Sequence, residues 1–200
     1  MQFVEVESSR KSLYLRTSVY GVGVNDASYK IELIVNGKRK VCPYYKVWSA
    51  MLHRCYYFEE GRNATYAECT VCDEWLTFSN FKYWMKGQDW LDKQLDKDLL
   101  NQGNKEYGPN LCIFVTQQIN KLLRTRNKGK LTPVGVFFNK RMGKYISYCS
   151  KDKVKIYLGS FTDEKEAFSA YKKFKYKVIA EIAEKQTEPL RTALLNYKII

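Results

Sequence analysis

The chain has 200 residues, of which 45% are hydrophobic and 15% aromatic, and its 34 lysines and arginines outnumber 21 aspartates and glutamates to give a net charge of +13. Such aromatic content excludes a disordered chain of the same charge, and the length admits one large or two small cores, two being the expectation. No apolar run of membrane-spanning length and no leader pattern occur, so a cytosolic protein with reduced cysteines is expected, and the cations lie on strand and turn patterns instead of one helix face, which argues against a membrane surface.

Alternation through Tyr29–Val35, then Asn36-Gly37, then Lys38–Cys42 predicts a β-hairpin, because Asn-Gly supplies the positive φ angles of a two-residue turn. Pro43 then opens a helix through about Tyr56, with Val47, Met51, Leu52 and Cys55 on one face. A polar loop from Glu59 to Asn63 leads to Cys69-x-x-Cys72. Beyond it Trp75, Phe78, Phe81, Trp84 and Met85 recur at helical spacing, which predicts one helix and a buried aromatic stripe. A short strand, Leu95–Leu100, a loop from Asn101 to Asn110, a second strand, Leu111–Val115, and a helix from Thr116 to Leu123 follow.

Arg124 to Pro133 is poor in bulky apolar residues and reads as a linker, placing domains at 1–124 and 134–200 with 125–133 between them. Between Asn120 and Ser160, eleven lysines and arginines face Asp152 alone, a density suited to phosphate. Three short strands follow Gly135. A helix from about Asp163 to Lys185, N-capped by Thr162, carries Ala167, Phe168, Tyr171, Phe174, Val178 and Ile182 on one face. A last helical stretch near Pro189 buries Leu190, Leu194 and Leu195.

Gly135-Val136, Gly143-Lys144-Tyr145, Tyr157-Leu158-Gly159-Ser160-Phe161, Glu166-Ala167 and Ala170-Tyr171 resemble the signature of the APETALA-two (ethylene-response-factor) DNA-binding domain. The order strand, loop, strand, helix around Asp96 is that of the ββα-metal motif. Together with Trp48, Arg54, Cys55, Tyr66, Cys72, Trp75, Leu95-Asp96-Lys97-Asp98, Gly103-Asn104 and Cys112, it resembles the HNH-type proteins that bacteriophages and other mobile elements encode. The implied fold class is α+β: an HNH-like ββα-metal domain preceded by a β-hairpin, then a three-stranded antiparallel sheet packed on a long helix.

The resemblance implies roles. Asp96 and Asn120 would hold a divalent metal, Mg or Mn, Asn104 or Asn110 would orient water, and Lys97 falls where the general base, a histidine in active members, belongs. A lysine of ordinary pKa near ~10.4 is protonated at neutral pH and cannot accept a proton, so it would instead steady phosphate charge, with Asp98 or a metal-bound water left to deprotonate. His53, the single histidine, lies outside that position and reads as a helix-surface residue. Cys69-x-x-Cys72 is half of a zinc site that Cys55 and Cys112 would complete; the alternative is that these cysteines are small buried hydrophobes, as Cys42 and Cys149 are expected to be.

On the sheet, the resemblance assigns duplex reading in the major groove to Phe137, Asn139, Arg141, Lys144, Tyr148, Ser150, Lys155 and Tyr157. Arg141 and Lys155 would meet guanine edges, Asn139 adenine, and Lys140, Lys144 and Lys153 phosphates. The leading expectation is a double-stranded DNA-binding endonuclease of nicking or homing-like type, acting in the cytoplasm of an infected bacterial host. The alternatives are a non-catalytic DNA-binding regulator on the same scaffold and an inhibitor of a host protein. No small-molecule cofactor is expected.

Overall fold

The structure is a computed structural model that describes residues 3–57, 66–123 and 132–199, so the loop at 59–63 and most of the expected linker, with Arg124, Arg126, Lys128 and Lys130, lie outside the described residues. The chain mixes helices with several small sheets and divides into two compact units, Met1–Thr116 and Gln117–Ile200. The division falls at the start of a helix and ahead of the expected linker.

In the first unit a short helix, α1 (Arg10–Tyr14), is followed by irregular chain gathered around Arg16. Its guanidinium donates to the carbonyls of Asn25, Ala27 and Tyr29. The expected hairpin forms from β1 (Glu32–Val35) and β2 (Lys38–Val41), with Asn36 and Gly37 at φ +51° and +70° as an Asn-Gly turn requires. Helix α2 (Pro43–Tyr56) buries Trp48, Met51, Leu52 and Cys55. Each large side chain so buried is worth about 1.5–3 kcal/mol.

The aromatic stripe is core, as its period predicts, but it lies on two helices and not one. These are α3 (Asp73–Leu76) and α4 (Phe78–Lys86), broken at Thr77. The cause is an upstream segment. Val24 donates its N–H to Leu76 O at 2.8 Å and accepts from Phe78 N at 3.0 Å, so Thr77 must be extended. Asp26 then caps α4, its Oδ1 accepting from Ser79 N at 2.9 Å, where Thr77 gives no side-chain cap.

β3 (Thr70–Val71) pairs in parallel with β5 (Glu106–Tyr107), and β4 (Lys93–Asp96) pairs antiparallel with β6 (Ile113–Thr116), Asp96 lying opposite Ile113. The strand expected to run to Leu100 ends at Asp96, because that carboxylate captures the next N–H groups.

The second unit begins with α5 (Gln117–Leu122) and then forms one antiparallel sheet, β7 (Val136–Asn139), β8 (Lys144–Lys151) and β9 (Val154–Phe161), in the order β7-β8-β9. The sheet lies against α6 (Glu164–Ala183), and α7 (Leu190–Leu195) packs on α6. The cap of α6 is Asp163, which accepts from Glu166 N at 3.0 Å, and not Thr162. Its buried stripe runs through Ala167, Tyr171, Lys175, Val178, Ile179 and Ala183, displacing Phe168, Phe174 and Ile182 to half-buried positions. Leu194 is buried on α7, whereas Leu195 is 53% exposed and does not join the core.

Gly135 explains why the motif starts as it does. Its φ of +79° favours glycine, and a Cβ there would lie 2.7 Å from Cγ of the Tyr171 ring and closer still to Cδ2 and Cε2.

Candidate functional site

The sheet has two unlike faces. Val136, Ser147 and Cys149 are buried, and the sheet contacts α6, so these residues alternate with an opposite, outward set. Register places Asn139 opposite Lys144, Ser150 opposite Lys155, and Tyr148 opposite Tyr157. Tyr148 faces outward by alternation between Ser147 and Cys149, its ring stacking on Phe137 at 5.8 Å with 6° between planes, and a bulge that leaves Leu158 of β9 unpaired brings Tyr157 to the same face. Tyr157 meets the Tyr148 ring edge-on at 5.5 Å. Lys155 Nζ stands 4.1 Å from the centre of Tyr148 and 5.8 Å from that of Phe137, a cation over two rings.

Seven of the eight residues expected to read DNA thus share one face, and Arg141 is exposed in the turn beside it with Lys140. Lys153 is exposed at the other hairpin, where Asp152 and Lys153 have φ of +51° and +67°. Two expected roles change. Asn139 Oδ1 accepts from Arg141 N at 3.1 Å and Met142 N at 3.2 Å, so its side chain shapes the turn and lacks the open acceptor an adenine contact needs. The Lys155 ammonium, held over the rings, braces them. Sequence reading missed Ile146, the partner of Phe137 on this face and only 4% exposed; strict alternation along β8 between Lys144 and Tyr148 was the signal that marks it.

The second candidate lies at the end of β4. Asp96 is half-buried, and its Oδ1 accepts from Asp98 N at 2.9 Å and Leu99 N at 2.8 Å. Burial raises its carboxyl pKa, with those backbone bonds opposing. Lys97 is 5% exposed, and its Nζ donates to Asp98 Oδ1 and Asn104 O, both at 2.6 Å. Burial pulls its pKa down, but the bond and charge of Asp98 outweigh this and hold it above the ordinary lysine value. A lysine so held is a cation, and a base cannot be made of it. Asn104 Nδ2 donates to Lys97 O at 2.9 Å and Glu106 O at 2.6 Å, and its Oδ1 accepts from Glu106 N, so its amide ties the loop to β5. Asn110 is exposed in the turn before β6, and Asn120 lies on α5, in the second unit.

Asp96 is the kind of hard oxygen donor that Mg or Mn takes, though such ions need several. Among the described residues no group of three His, Cys, Asp or Glu side chains is arranged to hold a metal ion. The four cysteines of the expected zinc site all lie in the first unit and interact electrostatically in pairs, Cys55 with Cys69 and Cys112 with Cys72. Burial pushes Cys55 up to about 11 and Cys112 up to about 12, which keeps both as neutral thiols packed among apolar neighbours. Arg54 lies over the Tyr107 and Tyr66 rings at 5.3 and 5.8 Å. His53 stacks on Tyr57 at 4.8 Å and meets Tyr20 edge-on, the surroundings of a helix-surface residue.

Compared with protein-family models, with curated proteins and with solved structures, the chain gives no match.

Proposed function

We propose that the chain is a double-stranded DNA-binding protein that docks the outward face of β7–β9 in the major groove. One observation carries the reading: register and ring packing gather Phe137, Lys144, Tyr148, Ser150, Lys155 and Tyr157 on one face, with Lys140, Arg141 and Lys153 exposed in its two hairpin turns. Other β-sheet readers dock in a groove in this way, and here the lysines at the rim meet phosphates while Arg141 reaches a base edge. Replacing the rim lysines Lys144 and Lys153 by Ala should weaken binding and lower the slope of log affinity against log salt by about 0.9 for each phosphate that is no longer neutralised. Fluorescence anisotropy across a salt series reads this. A double mutant with the wild-type affinity and slope would refute the docking face.

The strand, loop, strand, helix order around Asp96 favours a second reading, a metal-dependent nicking or homing-like endonuclease of HNH type with Asp96 as a ligand for Mg or Mn. In it the buried Lys97, bonded to Asp98 and Asn104 O, takes no proton and holds the loop beside Asp96. Supercoiled plasmid with either metal decides the matter. Nicking that Asp96→Asn abolishes supports cleavage, and intact plasmid under both metals leaves a DNA-binding protein on a scaffold without catalysis.

A further inference from the structure

We propose that the outward face of β7–β9 reads the thymine methyl group, so that the chain prefers A·T-rich duplex; this rests on the duplex-binding reading above. The centre of the face is apolar. Phe137 is 38% and Tyr157 56% exposed, and Ile146, the cross-strand partner of Phe137, adds a buried apolar floor. Lys155 is the cation within this centre, seated over Tyr148, while Lys144 lies at one end of the face and Lys153 at the other.

Two polar groups that would otherwise read bases are already engaged. Asn139 Oδ1 accepts two backbone N–H groups, and the Lys155 ammonium stands over Tyr148 and Phe137. Hydrogen-bond readout by those two is therefore suppressed, while apolar area is presented inside a basic rim. In the major groove the apolar mark of the four base pairs is the C5-methyl of thymine, and aromatic side chains are among the groups that touch it.

Ring geometry separates this from single-strand binding. A base lifted from a strand stacks on an open ring face. Here Phe137 and Tyr148 cover one another at 6° between planes, and Lys155 sits on Tyr148. Ring edges are what this stacked pair offers, and edges suit methyl groups lining a groove.

The test uses the full chain and short alternating duplexes at one salt concentration, read by anisotropy. The d(A·T) duplex should bind more tightly than d(A·U), which keeps every hydrogen-bonding group and loses the methyl, by about fourfold for each methyl touched. Placing 5-methylcytosine in a d(G·C) duplex restores a methyl at the same groove position and should raise affinity by a similar factor. Tyr157→Ser, folded by circular dichroism, should shrink both ratios. Equal affinity for d(A·T) and d(A·U) overturns the methyl reading and leaves duplex binding standing. Failure to bind any duplex, or tighter binding to single-stranded oligo(dT), overturns both.

Discussion

Replacing Gly135 by Ala strikes two effects that the structure separates. The first is backbone: at φ +79° an L-residue carries a penalty of roughly 1–2 kcal/mol that glycine does not. The second is steric, since the new methyl meets the Tyr171 ring, which is 4% exposed and has little room to retreat, and overpacking of this kind costs about 1–3 kcal/mol. Together they amount to about 2–5 kcal/mol. Urea unfolding followed by far-ultraviolet circular dichroism measures the loss, and tryptophan emission is an internal control because Trp48, Trp75, Trp84 and Trp90 all lie in the first unit. In a Tyr171→Ala background the steric part disappears, and Gly135→Ala should then cost only the backbone part. A single mutant destabilised by less than about 1 kcal/mol, or by the same amount in both backgrounds, refutes the Tyr171 ring as the reason glycine stands there.

The turn Asp152-Lys153 carries two non-glycine residues at positive φ, so Asp152→Asn with Lys153→Gly should raise stability by about 1 kcal/mol in the same urea assay. Lys97→Met leaves Asn104 O without its ammonium partner and should cost about 1–3 kcal/mol. Because the folded state raises the Lys97 pKa, its contribution is present below about pH 10.4 and lost as pH climbs through the folded value, so the gap between wild type and Lys97→Met should close in alkali. Cys55 and Cys112 rise from an ordinary 9.0 to about 11 and about 12, so the stability they lend is intact below pH 9.0 and falls above it. Thiolate absorbance checks this, and two buried thiols ionising near their ordinary value would contradict it.

Local chemistry made much of the fold readable. Asn36-Gly37 announces its hairpin, Pro43 opens α2 where expected, and the 3.6-residue recurrence from Trp75 to Met85 marks a buried stripe. What stayed hidden depends on distant partners. The break at Thr77 needs Val24, the early end of β4 needs the Asp96 carboxylate to choose N–H groups over continued pairing, and β3 with β5 is too short to show any period. The site divides the same way. Alternation is enough to align the outward residues of the sheet, because a strand has only two faces. Asn139 and Lys97 could not be read so, since a polar side chain bonded to the backbone looks the same in sequence as one turned to a ligand.

The splice of Val24 between Leu76 and Phe78, with Asp26 on Ser79, also orders events in time. The corner between α3 and α4 cannot close on local interactions, because its hydrogen-bonding partners lie some fifty residues upstream, and so long a loop must close before those bonds can form. The segment before β1 therefore serves as an internal template for the first unit. Trimmed at Asn25 or beyond, the chain keeps its aromatic stripe but loses the backbone groups that bend it. The shortest piece that folds as the first unit has to reach back past Gly23.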